Sequence, residues 1–214
     1  MTAGLVTALP AALQLADWRR RIASLYATVR QIAAPADAWE QWRGGRNVLF
    51  RDHPQSPLPE AERRRFRGLP LFGYDPGWRF VVDKIAVDRE DGITAELGSD
   101  GVLHLTPCAR TVGLSPILGR ELTLFRLGGY GGGLFLPFRD STAGTSTYGG
   151  GRYLLDTVKG ADLGLEDGRL ILDFNFAYHP SCCYAPRWTC PLAPPENQLD
   201  IAVAAGERLP PPTS

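Results

Sequence analysis

The chain has 214 residues, 44% of them hydrophobic and 21% charged, and its 23 basic residues balance 23 acidic ones. A chain of this kind can bury a full core without metal or disulfide staples, and it is too apolar to stay disordered. Its zero net charge leaves no basic field to steer nucleic acid, and no run reaches the ~20 apolar residues of a membrane span.

The charge is uneven along the chain. Residues 1–70 carry 11 Lys+Arg against 6 Asp+Glu, and residues 71–214 carry 12 against 17. Arg63, Arg64, Arg65 and Arg67 follow Glu60 and Glu62, which reads as a solvated helix face docking on the acidic remainder. Met1 to Ala16 is apolar, but Arg19 to Arg21 follow it and no basic residue precedes it. That polarity is wrong for a secretion signal, and the expected location is the cytoplasm.

The first third reads as helix. Leu15, Trp18, Ile22, Leu25, Val29 and Ile32 recur in steps of three and four, one stripe of an amphipathic helix. Pro35 is expected to end it. Asp37 then caps a second helix carrying Trp39 and Trp42, which Gly44 and Gly45 weaken. Ser56-Pro57 is a candidate start for a short third helix. From Gly68 onward, Gly, Pro and Asp punctuate short runs rich in Val, Leu, Ile and Phe. Trp78, Phe80 and Val82 alternate, as do Ile85 and Val87. Further strands are predicted at 93–97, 102–106, 121–126, 134–138, 153–158 and 170–176. Turns at Glu90-Asp91-Gly92, Ser99-Asp100-Gly101 and Glu166-Asp167-Gly168 join some of them, the last two being Asp-Gly hairpin signals. No long helical pattern separates the strands, which argues against a parallel sheet. The expected fold is mainly β: an antiparallel β-sandwich or open barrel with an N-terminal pair or trio of helices. Residues 1–70 form the helical segment, packing on the same domain, 71–208 the β domain, and 209–214 a disordered tail.

Cys182, Cys183 and Cys190 cluster, and Cys108 stands apart. Buried thiols, a Cys182–Cys190 disulfide and a metal site are all open readings. The His179-x2-Cys182-Cys183-x6-Cys190 spacing does not fit a zinc pattern, and a cytoplasmic location argues against a permanent disulfide.

Two segments hold the polar residues from which a site can be built. In 138–153, Arg139, Asp140, Tyr148 and Arg152 flank three glycines. A glycine run lets backbone N–H groups approach an anion, and arginines grip carboxylate or phosphate by paired hydrogen bonds. This is not a phosphate-binding P-loop, because no Gly-Lys-Ser/Thr follows. In 172–198, Asp173 and Asn175 are expected on one face of a strand, with Phe174 and Phe176 on the other. A bent loop whose Arg and Asp satisfy buried backbone explains the same residues equally well. No Gly-x-Ser-x-Gly elbow occurs, and His53, His104 and His179 suggest no catalytic triad.

The strings Phe138-Arg-Asp-Ser-Thr, Thr147-Tyr-Gly-Gly-Gly-Arg-Tyr153, Asp173-Phe-Asn175, Ala177-Tyr178, the Cys182 and Cys190 pair, Pro195-Glu-Asn197 and Ala205-Gly-Glu207 resemble the bacterial and archaeal family catalogued as domain of unknown function 1684. The likeness extends upstream through Phe66-Arg-Gly-Leu69 and Ser56-Pro-Leu58. It implies no activity. His179 and Cys183 depart from the family pattern, where Asn and a small residue stand, so neither is counted as shared machinery.

Two functions follow as expectations. In one, the chain binds, and possibly transforms, a small polar or anionic ligand at Arg139, Asp140, Tyr148, Arg152, Asp173, Asn175, Tyr178, Glu196 and Asn197, with no cofactor specified. In the other, the polar motif only stabilises the fold, and the helices or a sheet edge bind a protein.

Overall fold

The structure, a computed structural model, describes residues 9–89, 91–98 and 101–210. Two long helices open it: α1 (Ala11–Val29) and α2 (Pro35–Asp52). The middle of the stripe read from the sequence is the face α1 buries, through Ile22, Leu25 and Val29 with Tyr26 beside them, while Leu15 is exposed and Ile32 lies past the helix end. Pro35 does not end α1, which has already stopped at Val29. It opens α2 instead, where its missing N–H costs nothing and its fixed φ suits the first turn. Ala34 occupies the cap position, so Asp37 is not a cap. Gly44 and Gly45 lie inside α2 and do not break it. A Cβ on Gly45 would collide with the Leu25 side chain, so the glycine is what lets the two helices cross closely. The third helix, α3, is only Glu60–Arg63. It starts later than Ser56, whose hydroxyl bonds the Phe50 carbonyl at 2.6 Å instead.

The remainder is antiparallel sheet. Its strands are β1 (Arg79–Ala86), β2 (Ile93–Glu96), β3 (Val102–Val112), β4 (Thr123–Leu127), β5 (Gly133–Phe138), β6 (Arg152–Asp156), β7 (Leu165–Glu166) and β8 (Arg169–Asp173). A single-turn helix α4 (Ser115–Leu118) links β3 to β4. The strand order is β6-β5-β4-β3-β1-β8-β7, with β2 also on β3. The sheet curls into a half-barrel. An isolated antiparallel bridge between Tyr153 of β6 and Tyr178, just past β8, draws the two ends of that order together. Of the two architectures expected, the open barrel is the one formed. The β7–β8 turn is the predicted Asp-Gly hairpin, with φ of 50° at Asp167 and 77° at Gly168. Glu90, Ser99 and Asp100 of the other predicted turns, and 211–214 of the predicted tail, lie outside the described residues.

Two predicted strands are shorter than read. The run at 153–158 leaves the sheet at Asp156 and turns through a 3₁₀ segment, Thr157–Lys159. The run at 170–176 leaves it at Asp173, whose carboxylate accepts the Asn175 N–H and starts another 3₁₀ turn. Trp78 closes a 3₁₀ turn just before β1.

The sheet is covered on both faces. On one, α1 and α2 pack Ile22, Leu25, Trp39 and Trp42 against Leu105, Phe125, Phe135 and Tyr153. On the other, Leu124, Leu136, Phe138 and Leu154 pack against Leu199, Val203 and Ala205 of an irregular C-terminal coil. The strands β4, β5 and β6 thus feed both cores, β6 sending Tyr153 to the first and Leu154 and Leu155 to the second, and β6 is buried at every position. Trp42 is fully buried, and its indole N–H donates to the Tyr26 hydroxyl at 3.0 Å. Trp42→Ala should cost about 3–5 kcal/mol in denaturant unfolding, while the fully exposed Tyr130→Ala should stay within about 0.5 kcal/mol.

Candidate functional site

The nine candidate residues do not gather at one place in the fold, though Arg152 pairs with Asp140 and Asn175 with Asp173. Arg152 is 1% exposed. Its Nη2 donates to Asp140 Oδ1 at 3.1 Å and to the Val203 carbonyl at 2.9 Å. Its Nη1 donates to the carbonyls of Ala205 and Glu207. Phe138 lies beneath the guanidinium, 5.0 Å from the ring centroid. Asp140 accepts the Val203 N–H at 2.8 Å and the Thr142 hydroxyl at 2.7 Å. The pair is therefore spent on the backbone of the C-terminal coil, with no open face for a ligand.

Asn197 is a backbone splint. Its amide donates to the Thr123 and Pro137 carbonyls and accepts the Thr123 N–H, each at 2.8 Å. Asn175 grips residue 75 in the same way, accepting its N–H at 3.0 Å and donating to its carbonyl at 2.8 Å. Arg139 points to the surface and donates to the Gly149 carbonyl at 2.9 Å. The glycine run has a structural cause at Gly151, where φ is 89° and a Cβ would collide with the Phe138 carbonyl. Glu196 lines a shallow groove with Arg110, Arg120 and Glu121.

Asp173 lines a different cleft, of about 270 Å³, between α2 and the β7–β8 hairpin. Burial holds its carboxyl up at about 6, against the opposing pull of hydrogen bonds from Asn175 and the charge of Arg79.

Tyr178 is buried beneath Arg46 of α2, the guanidinium 4.9 Å from its ring centroid. The sequence reading missed Arg46. It forms a buried pair with Glu207, donating from Nε at 3.0 Å and from Nη2. Glu207 also accepts the His179 N–H and the Tyr184 hydroxyl, both at 2.7 Å. Burial pulls His179 down to about 4, so its ring is neutral at pH 7, with Nε2 accepting the Tyr148 N–H at 3.1 Å. The local signal for this cluster was an arginine on the aromatic stripe Trp39, Trp42, Phe50 and a carboxylate just after the apolar run 201–205 of the C-terminal coil.

Arg46, Tyr178, His179 and Tyr184 wall a small chamber of about 60 Å³. It shares Trp18, Pro57, Lys159 and Ser181 with a wider cleft of about 410 Å³. Leu15 and Trp18 of α1 form one wall of this cleft. Leu103 of β3, Leu127 of β4 and Phe135 of β5 form another, and Trp188 to Pro191 a third. Its charged groups are Arg19, Asp156 and Lys159, joined by the polar side chains of Gln55, Ser181, Thr189 and Cys190. Lys159 reaches Asp156 at 3.4 Å with half its side chain exposed. Cys190 lines this cleft and Cys182 stands beside it, both free thiols, the Cys182 N–H donating to Cys190 Sγ at 3.4 Å. No group of three or more His, Cys, Asp or Glu among the described residues could hold a metal ion. No helix among them is long and apolar enough to cross a membrane.

The family described as "Protein of unknown function (DUF1684)" matches residues 64–208. The chain belongs to this family. The solution NMR structure of an uncharacterised protein from Haloarcula marismortui is similar to it, with 33% sequence identity and a TM-score of 0.56. That match covers 81% of this chain and 95% of the archaeal one. A comparison with curated proteins gives no match. The matched segment includes the Arg152–Asp140 knot, the Cys182–Cys190 pair and Glu207, but not α1, α2 or Arg46.

Two outcomes follow. Arg152→Met should cost about 3–5 kcal/mol in chemical unfolding, because it strands the Asp140 carboxylate, while Arg139→Met should cost under about 1 kcal/mol. Asp173 holds its proton more tightly when folded than unfolded. Its contribution is therefore favourable at low pH and is lost as pH rises from about 4 to about 6. Asp173→Asn keeps the oxygen that Asn175 uses. It should raise stability at pH 7 on the order of 2–3 kcal/mol and change nothing near pH 3, measured by denaturant midpoints across pH.

Proposed function

We propose that this chain binds a small amphipathic molecule with an anionic head in the 410 Å³ cleft between α1 and the curled sheet. The observation that carries the reading is the make-up of that cleft. Its walls are mainly apolar side chains on rigid helix and strand, and its cations outnumber its one carboxylate. Ligand sites have this character: apolar walls that exclude water and a few polar groups that fix orientation. Arg19 makes no ion pair among the described residues. Lys159 is held by the buried Asp156 carboxylate and by the Tyr153 ring, 5.7 Å from its ammonium, but half its side chain stays exposed, so an incoming carboxylate or phosphate can share its ammonium. The anion-binding role expected of Arg139 and Arg152 passes on this reading to Arg19 and Lys159, since Arg152 is buried with both its Nη groups already given to Asp140 and coil carbonyls, leaving only its Nε–H unpaired.

Calorimetric titration with dodecanoate tests this. Saturable one-site binding is expected, with no binding of dodecyltrimethylammonium, which has the same tail and the opposite charge. Lys159→Met should weaken dodecanoate at least about tenfold, a loss near 1.4 kcal/mol. Leu103→Trp, which fills the cleft, should abolish it. Equal binding of both amphiphiles, or unchanged affinity in both variants, contradicts the reading.

A further inference from the structure

Of the four cysteines, only Cys190 combines access to the wide cleft with a second thiol as neighbour. Cys108 packs against the opposite core, its thiol donating to the Leu124 carbonyl at 3.4 Å. Cys183 is next in sequence to Cys182, but burial and the Glu207 carboxylate push its thiol up to about 12. Cys190 sits differently. The backbone N–H of Cys182 points at its sulfur from 3.4 Å, and the Cys182 thiol donates to it as well. The Lys159 ammonium adds positive charge on the cleft side. The donors from Cys182 and the Lys159 charge hold the Cys190 thiol below its usual range, while the same contact and burial hold Cys182 above it. One sulfur is thus a ready nucleophile and its neighbour a protonated thiol. Such an accessible, low-pKa cysteine beside a resolving partner is the arrangement that oxidises selectively.

We propose that Cys190 and Cys182 form a dithiol that reduces organic hydroperoxides entering the cleft. The Cys190 thiolate attacks the outer oxygen of R–O–O–H, breaking the O–O bond. Cys190 becomes a sulfenic acid, and the alkoxide leaves with one proton as the alcohol. The Cys182 thiol then attacks the sulfenic sulfur, forming the Cys182–Cys190 disulfide and releasing water. Two electrons pass from the two thiols to the peroxide, and an external dithiol returns the pair to its reduced form. The apolar walls of Leu103, Leu127 and Phe135 favour an organic R group over hydrogen peroxide. The chemistry resides in the two sulfurs and does not require that the cleft retain an anionic amphiphile, so it stands or falls separately from the binding reading.

The test uses the full reduced chain, free of added amphiphile, with one equivalent of cumene hydroperoxide or hydrogen peroxide. Quenching by alkylation and peptide mass mapping then reports each cysteine. The expected product is a Cys182–Cys190 disulfide with Cys108 and Cys183 alkylated, formed at least about tenfold faster than any oxidation of Cys108. Cys182→Ser should stop at a Cys190 sulfenic acid that dimedone captures, and Cys190→Ser should leave Cys182 unreacted. Cumene hydroperoxide should be the faster oxidant. A faster reaction with hydrogen peroxide overturns the organic substrate class. Oxidation of Cys108 or Cys183 at the rate of Cys190, or persistence of both thiols, overturns the whole proposal. If a serine variant does not fold, the ranking of the four cysteines in the unaltered chain decides alone.

Discussion

The structure depends on one constraint, which is that its C-terminal coil must be held to the sheet without being part of it. Residues 199–208 cover the second core with Leu199, Val203 and Ala205 but form no strand with β5 or β6. Neighbouring loops satisfy some of their backbone groups, the Leu199 N–H donating to the Arg139 carbonyl and the Glu207 N–H to that of Ala177, but the Val203 N–H and the carbonyls of Val203, Ala205 and Glu207 have no backbone partner, and each left unpaired would cost as much as a lost hydrogen bond. Arg152 and Asp140 supply the missing ladder. One guanidinium takes three coil carbonyls, and one carboxylate takes the Val203 N–H and holds the guanidinium in place. Arg46 and Glu207 repeat the device across 161 positions of the chain, tying the end of the coil to α2. A hydrophobic substitute at either arginine would pack but could not donate.

This stapling also explains where an open site can exist. The coil, the helices and the curled sheet consume nearly all the buried polar groups, so a functional cleft has to form where those layers fail to meet. That place is the gap between α1, the ends of β3 to β5 and the loop around Cys190. The close crossing of α1 and α2 at Gly45 fixes α1 beside the sheet, and the early end of β6 at Asp156 leaves Lys159 on a turn at the cleft's edge. Binding and thiol chemistry are thus assigned to the seams, and the polar motifs with the strongest sequence signal are assigned to the frame.

Legibility in the sequence follows the same division. Periodic features were readable: the α1 stripe, the alternating strands and the Asp167-Gly168 hairpin depend only on local spacing. Pro35 was misread because proline can stop one helix or start the next, and only the early end of α1 at Val29 decides between them. The Asp173-Phe-Asn175 run was read as strand because its apolar alternation continues past the point where Asp173 turns the chain. Arg152 and Asp140 were correctly singled out as needing partners, but whether those partners are ligand atoms or coil carbonyls is a tertiary fact. Lys159, Trp188 and Leu103 gave no signal at all, because the cleft joins elements far apart in sequence and none of the three stands in a motif.

The central claim is that this protein uses the α1–sheet cleft, with the Arg152 knot as scaffold. The five tryptophan indole N–H signals in a two-dimensional NMR spectrum test it directly. Trp18 and Trp188 line the cleft, while Trp39 and Trp42 are tied by hydrogen bonds to the Asn175 carbonyl and the Tyr26 hydroxyl. On adding dodecanoate, the account predicts shifts of the Trp18 and Trp188 signals, with Trp39 and Trp42 unmoved and the backbone signals of Gly149 to Arg152 unchanged. Shifts confined to Gly149–Arg152 with both cleft indoles still would contradict it and return the site to the glycine-rich loop.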